Sequence, residues 1–296
     1  MVDLTRLTFP SIAFIDYPLE KAFKLIADAG FKNTDVLEKH PHFSIHADEF
    51  DPAELGEVAQ EYGLGIPWLN TYVGGGQDSR ASAWLHHPGF EFTNRDRYTP
   101  VGFASEDEEE LEAELQQVFC AIDIAVDLGS RGIRFVAGDD DPAKLDKYVH
   151  WLKRCAAYAE DKGILMATEN HDAGIMGTPE LLVELFEKVG SPNVGVIYEP
   201  YNLMEQASYD YRKAFEVMRE HILHVHFKDG KLMADKRNYE PVLMGAGELD
   251  FRWVMKRLKE IGYEGEIALE YEVADVPPED GVKQFYSAFK HMMSDM

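Results

Sequence analysis

The chain has 296 residues, 45% hydrophobic and 28% charged, which is enough to bury a core without disulfide support. It carries 29 Lys and Arg against 54 Asp and Glu, a formal net charge of −25. So acidic a surface repels phosphate backbones and argues against nucleic acid as a partner. No run approaches the roughly 20 apolar residues of a membrane span, so no membrane association is expected. The first residues, MVDLTRLTFPSIAF, lack a basic leader followed by an apolar segment, and the expectation is a cytoplasmic protein. Cys120 and Cys155 fall in amphipathic stretches and read as reduced packing residues.

Residues 7–15 predict a first strand, and PLEKAFKLIADAG a helix with apolar positions at helical spacing, stopped by Gly30. FKNTDVLE predicts a second strand, with His40, His42 and His46 after it. Asp51 followed by Pro52 is a cap and first-turn signal for a helix over 51–62. LGIPWLNTYV predicts a third strand, and an irregular stretch runs from Gly74 to Ala104. The acidic run SEDEEE opens a helix over 107–128, with Ser105 and Glu108 spaced as a capping box.

Strand RGIRFVAG, a helix over 142–162, strand ILMATENH and a helix over 178–190 opened by Thr178-Pro179 continue the alternation. Strand NVGVIYEP, a helix from about 207 to 220 and strand ILHVHFKD follow. A second long loop, 230–248, precedes a helix capped by Asp250, the strand EGEIALEYE and a helix near 280–293. Eight strand–helix alternations without a break in composition predict parallel strands with helices outside. In under 300 residues, that is a single-domain (β/α)8 TIM barrel over 1–296. An open doubly wound sheet is the alternative, but no GxGxxG opens the first helix.

A TIM barrel works from the C-terminal ends of its strands, and the two-residue period of a strand tells which side chains share a face. Glu169, Glu199, His226 and Glu270 come into phase near the ends of four consecutive strands. Three carboxylates at one barrel mouth repel one another unless a cation neutralises them. Three oxygen donors with one imidazole suit a divalent ion, Mn²⁺ first and Mg²⁺ or Co²⁺ as alternatives, better than structural zinc. His224 lies one layer deeper and reads as a hydrogen-bonded core histidine, and Asp35 on the second strand is a candidate to line the pocket.

HVHFKD, then GAGELDF and IGYEGEIALEYE, together with ATENHDAG and NVGVIYEPYN upstream, resemble the xylose-isomerase-like sugar phosphate isomerase/epimerase superfamily. The motif match covers about 160–275; the first half agrees in layout. The resemblance implies Glu169, Glu199, His226 and Glu270 as metal ligands, with Glu199 standing where an Asp is usual. It further implies a divalent-metal-dependent isomerase or epimerase of a keto-sugar or related polyol, working through a metal-stabilised enediolate with Glu169 and Glu270 as acid/base pair. A lyase, either a dehydratase or an enzyme cleaving an oxidised glycoside, would use the same site. A barrel kept only as a binding subunit is the third reading.

His171 is a candidate catalytic group, and Lys228 and Asn202 are candidate substrate contacts. Trp84 stands for the aromatic wall of loop 74–104, which also holds His86, His87, Phe90, Phe92, Arg95, Arg97 and Tyr98. That loop reads as a lid or pocket wall, or as the contact of a homo-oligomer. Arg237 in loop 230–248 is a candidate phosphate or substrate contact.

Overall fold

Each predicted alternation resolves into a strand shorter than its hydrophobic run, with a longer helix after it. A computed structural model describes residues 3–46, 50–77, 99–137, 141–171, 174–205, 209–235 and 238–296. Eight parallel barrel strands lie among the described residues: β1 (Leu7–Thr8), β2 (Val36–Leu37), β3 (Trp68–Asn70), β4 (Gly132–Arg134), β5 (Leu165–Glu169), β6 (Val194–Tyr198), β7 (Ile222–Phe227) and β10 (Ile267–Leu269). Two further strands, β8 (Asp229–Leu232) and β9 (Tyr239–Val242), pair antiparallel.

The sheet runs β1-β10-β7-β6-β5-β4-β3-β2. Its two ends meet where Asn33, on the way into β2, bridges both Thr8 and Gly65. Ser11 N donating to Asp35 O at 2.8 Å extends that closure by a further rung. The protein is therefore a single (β/α)8 barrel, as the alternation predicts.

The helices begin and end where local chemistry supplies partners for their unpaired backbone groups. Asp51 accepts from Ala53 N at 2.9 Å ahead of Pro52–Tyr62, and Asp250 accepts from Trp253 N at 3.0 Å ahead of Phe251–Glu260. Gly30 ends Leu19–Ala29 with φ 108°, a conformation that an L side chain would resist. The capping box at Ser105 does not form. Asp107 caps Glu108–Asp127 instead, accepting from the amides of Glu109 and Glu110, because Ser105 Oγ is taken up with Glu110 and the Asp107 amide. Thr178 precedes Pro179–Val189 as expected, but its hydroxyl donates back to Gly174 O rather than capping the helix.

The large core lies between the strands and the surrounding helices, and a smaller one fills the barrel interior. Trp68, Ala167 and Ile197, from β3, β5 and β6, form that interior layer, and the Trp68 indole stacks on the His224 imidazole at 4.6 Å and 12°. Gly132 on β4 makes room for it, since a Cβ there would stand 2.6 Å from the Trp68 ring. This layer is the floor beneath the strand ends. The stretch 230–248, expected as loop, carries the β8–β9 hairpin. A single carboxylate organises it: Asp229 accepts from the amides of Gly230, Gly245, Gly247 and Leu249 at 2.8–3.3 Å. Trp84 and its aromatic neighbours, like Arg237, lie outside the described residues. No described helix is long and apolar enough to cross a membrane.

Candidate active site

Above the floor, the inward side chains become charged. The donor atoms of Glu169, at the end of β5, His226 on β7, and Glu270, just past β10, lie within 4.8 Å of one another, all buried. Parallel register produces this: Ala268 pairs with His226, which sets Glu270 two residues further along the same face. His226 Nδ1 stands 3.6 Å from Glu169 Oε1 and 3.6 Å from Glu270 Oε2.

Cations surround this group. Lys228 is 5% exposed and its Nζ stands 3.1 Å from Glu270 Oε2 and 3.2 Å from Glu272 Oε2. Asp229, next to Lys228 in sequence, does not pair with it and is turned away to the hairpin amides. On the other flank, Arg134 Nη1 lies 3.2 Å from Glu169 Oε2, and the guanidinium stacks over the Tyr72 ring at 4.5 Å. Asn202 Nδ2 donates to Glu169 Oε1 at 3.2 Å, so both oxygens of that carboxylate are held. Burial raises the Glu169 pKa, but the close approach of His226, with the charges of Lys228 and Arg134, outweighs it and holds the carboxyl well below its ordinary value. Burial likewise opposes ionisation of Glu270, and the Lys228 charge turns the balance downward.

Glu199 behaves differently. Its backbone is fixed by a reciprocal pair with the Asn170 side chain, at 2.7 and 2.9 Å. One carboxylate oxygen accepts from Tyr201 N at 2.7 Å, capping the turn that follows, and the other is buried without a hydrogen-bond partner. Burial, reinforced by the charges of Glu270 and Glu169, pushes its pKa well up despite the opposing charge of Lys228. Among the described residues, Glu199 stands outside the tight Glu169–His226–Glu270 group. His171 lies exposed, past the end of β5, its amide bonded to Met176 O.

The donor set fits a divalent cation. Both His226 nitrogens and Glu199 Oε2 are buried without hydrogen-bond partners, while Glu270 Oε2 is met by the Lys228 ammonium. Buried carboxylate oxygens and an imidazole nitrogen within 4.8 Å of one another are a donor set that a hard or borderline ion accepts. Arg134 and Tyr72 were absent from the sequence reading. The available signal was the arginine itself, a charged residue inside the apolar strand RGIRFVAG and in phase with Gly132.

Residues 23–290 match the sequence profile of the xylose isomerase-like TIM barrel family. The chain belongs to that family. Among curated proteins, it is 31% identical over 130 residues to an uncharacterized protein of Methanocaldococcus jannaschii, 43% of each chain. It is also 29% identical over 170 residues to an uncharacterized protein of Bacillus subtilis, covering 50% of this chain and 53% of that one. The chain thus matches about half the length of these relatives.

Solved structures align over nearly the whole chain. A D-tagatose 3-epimerase-like protein superposes with TM-score 0.71 and 20% identity, covering 98% of both chains. D-allulose 3-epimerase from Methylomonas sp., in complex with D-allulose, gives 0.69 and 17%, over 98% of this chain and 96% of that one. An IOLI protein with a bound zinc atom gives 0.70 and 16%, over 97% and 98%. At such identities, these similarities speak for the fold.

Proposed function

We propose that the protein is a divalent-metal-dependent isomerase or epimerase of a keto-sugar or related polyol. The observation that carries this reading is the convergence of Glu169, His226 and Glu270 at the C-terminal rim, with both His226 nitrogens buried and without a hydrogen bond. Glu199 would complete the set through its unpartnered Oε2. The D-allulose and zinc complexes of structural neighbours agree with a small sugar and a divalent ion in this fold. The oxygen-rich donor set suits Mn²⁺, with Mg²⁺ or Co²⁺ as alternatives.

A bound ion would supply Lewis-acid charge at a substrate carbonyl and its neighbouring hydroxyl. The chain's own residues do the rest. A carboxylate removes the proton from the carbon beside the carbonyl as the C–H electron pair moves toward the carbonyl oxygen. Return of a proton to the opposite face of that carbon epimerises it; return to the former carbonyl carbon, with the hydroxyl proton of the deprotonated carbon passing to the former carbonyl oxygen as a new carbonyl forms, isomerises the substrate. Glu270 and Glu169 are the acid/base pair of this reading. Glu169, held by Arg134 and Asn202, is the more restrained of the two, and Glu270 the freer to carry a proton. Lys228 and Asn202 border the same space and would position substrate oxygens, with His171, Trp84 and Arg237 as contributions from the rim and loops.

Metal analysis of the purified protein and proton exchange in D₂O, with a panel of ketoses including D-allulose, test the reading. The expected result is a bound divalent ion and deuterium at a substrate carbon, lost in Glu270→Gln. Release of water or an aglycone without exchange would move the assignment to a lyase. A protein that takes up no divalent ion, or full activity in Glu270→Gln, would overturn both.

A further inference from the structure

Directly beneath the candidate metal group lies a second buried cluster, whose donor atoms also fall within 4.8 Å: Asp35, His224 and His226. All three are fully buried. Thr8 Oγ1 donates to Asp35 Oδ1 at 2.8 Å, and His224 Nε2 stands 2.8 Å from Asp35 Oδ2. That second separation is a hydrogen bond and leaves no space for an ion between the two groups. His224 is itself locked by its stack on Trp68. The carboxylate is thus fixed from two sides, by β1 and β7, at the centre of the barrel.

The two nitrogens of His226 face different partners. Nδ1 lies 3.6 Å from both Glu169 and Glu270, and Nε2 lies 3.8 Å from Asp35 Oδ2, beyond hydrogen-bond length, so Asp35 acts on it through its buried charge. An imidazole can give a metal one lone pair only if its proton sits on the other nitrogen, and an outer carboxylate commonly fixes that choice. We propose that Asp35 is the positioning residue of the site, drawing the His226 proton to Nε2 and leaving Nδ1 as the ligand atom. The inference rests on the metal-dependent reading above. It assigns to β2, on the far side of the barrel, control over a ligand on β7. The Thr8 and His224 contacts hold Asp35 in place for that task.

Mn²⁺ alone serves as the probe, titrated into metal-free full-length protein against a competing chelator. Asp35→Asn keeps the shape and removes the charge, and it is expected to weaken Mn²⁺ about 10–100-fold. Thr8→Val, which removes only a support of Asp35, is expected to weaken it less. In the Zn²⁺-loaded wild type, long-range ¹H–¹⁵N correlation should show the His226 proton on Nε2. This measurement stands even if Asp35→Asn fails to fold. Unchanged Mn²⁺ affinity in a folded Asp35→Asn, or a His226 proton on Nδ1, overturns the inference and leaves the metal reading standing. A wild type that binds no divalent ion overturns the metal reading, and the inference with it.

Discussion

Arg134 Nη1 stands 3.2 Å from Glu169 Oε2, joining the end of β4 to the end of β5 inside the barrel mouth. Both side chains are nearly buried, at 12% and 7% exposure, so neither charge has water to fall back on. Removing one partner of such a pair leaves the other desolvated and alone. Arg134→Met is therefore expected to destabilise the metal-free protein by about 3–5 kcal/mol. Urea denaturation with and without Mn²⁺ measures this, and the loss should shrink when the ion is present to neutralise Glu169. An Arg134→Met protein as stable as wild type without metal would show that the pair is not a structural contact.

Gly132 and Trp68 are matched in the barrel floor. A Cβ on Gly132 would lie 2.6 Å from the indole and 2.9 Å from Leu165 O, and backbone does not yield as a flexible side chain does. Gly132→Ala is expected to lose about 1–3 kcal/mol through overpacking. The double variant Gly132→Ala/Trp68→Phe should be more stable than the sum of the single losses predicts, because the smaller ring relieves the clash. Strict additivity in chemical denaturation would contradict the packing argument.

His42 is fully buried, with Nε2 3.0 Å from Tyr17 O, and burial depresses its pKa from 6.5 to about 4. Above pH 6.5 the ring is neutral in both folded and unfolded chains, so it adds no pH dependence. Between 6.5 and 4 the unfolded chain binds a proton that the folded one refuses, and stability falls as pH falls. From about pH 7 to about pH 5 this amounts to about 2 kcal/mol. His42→Gln should flatten the stability profile over that interval, whatever its absolute stability. A slope equal to wild type would remove His42 as the cause.

The net charge of −25 makes the folded surface repel itself. Raising KCl from about 10 mM to about 1 M shortens the screening length from roughly 30 Å to 3 Å. Screening also weakens favourable surface pairs such as Lys24–Asp28 and Arg212–Asp250, but exposed pairs are worth little each. Repulsion should dominate, and the melting temperature should rise with KCl. A falling melting temperature would place the balance with the ion pairs.

The barrel was legible because its signals are local. Asp51-Pro52, Gly30 and Asp250 are read from neighbours a few residues away, and each does in the structure what its chemistry requires. Period-two alternation was equally sufficient to put Glu169, His226 and Glu270 on inward faces, since a strand has only two faces. The capping box at Ser105 failed because its hydroxyl is taken up with Glu110 and the Asp107 amide while Asp107 caps the helix, and a spacing rule does not rank two competent caps.

What the tertiary structure alone decided is which inward groups meet. Glu199 is as well phased as its partners, yet its carboxylate accepts from Tyr201 N at the start of the short helix Pro200–Glu205 and stays apart from the tight group. Arg134 reaches Glu169, Lys228 reaches Glu270 and Glu272 rather than Asp229, and Asp35 meets His224 across 189 positions of chain. Sequence fixes phase along one strand through covalent geometry. Contacts between strands depend on barrel closure and register, which bring residues far apart in the chain, such as Trp68, Ala167 and Ile197, into one interior layer.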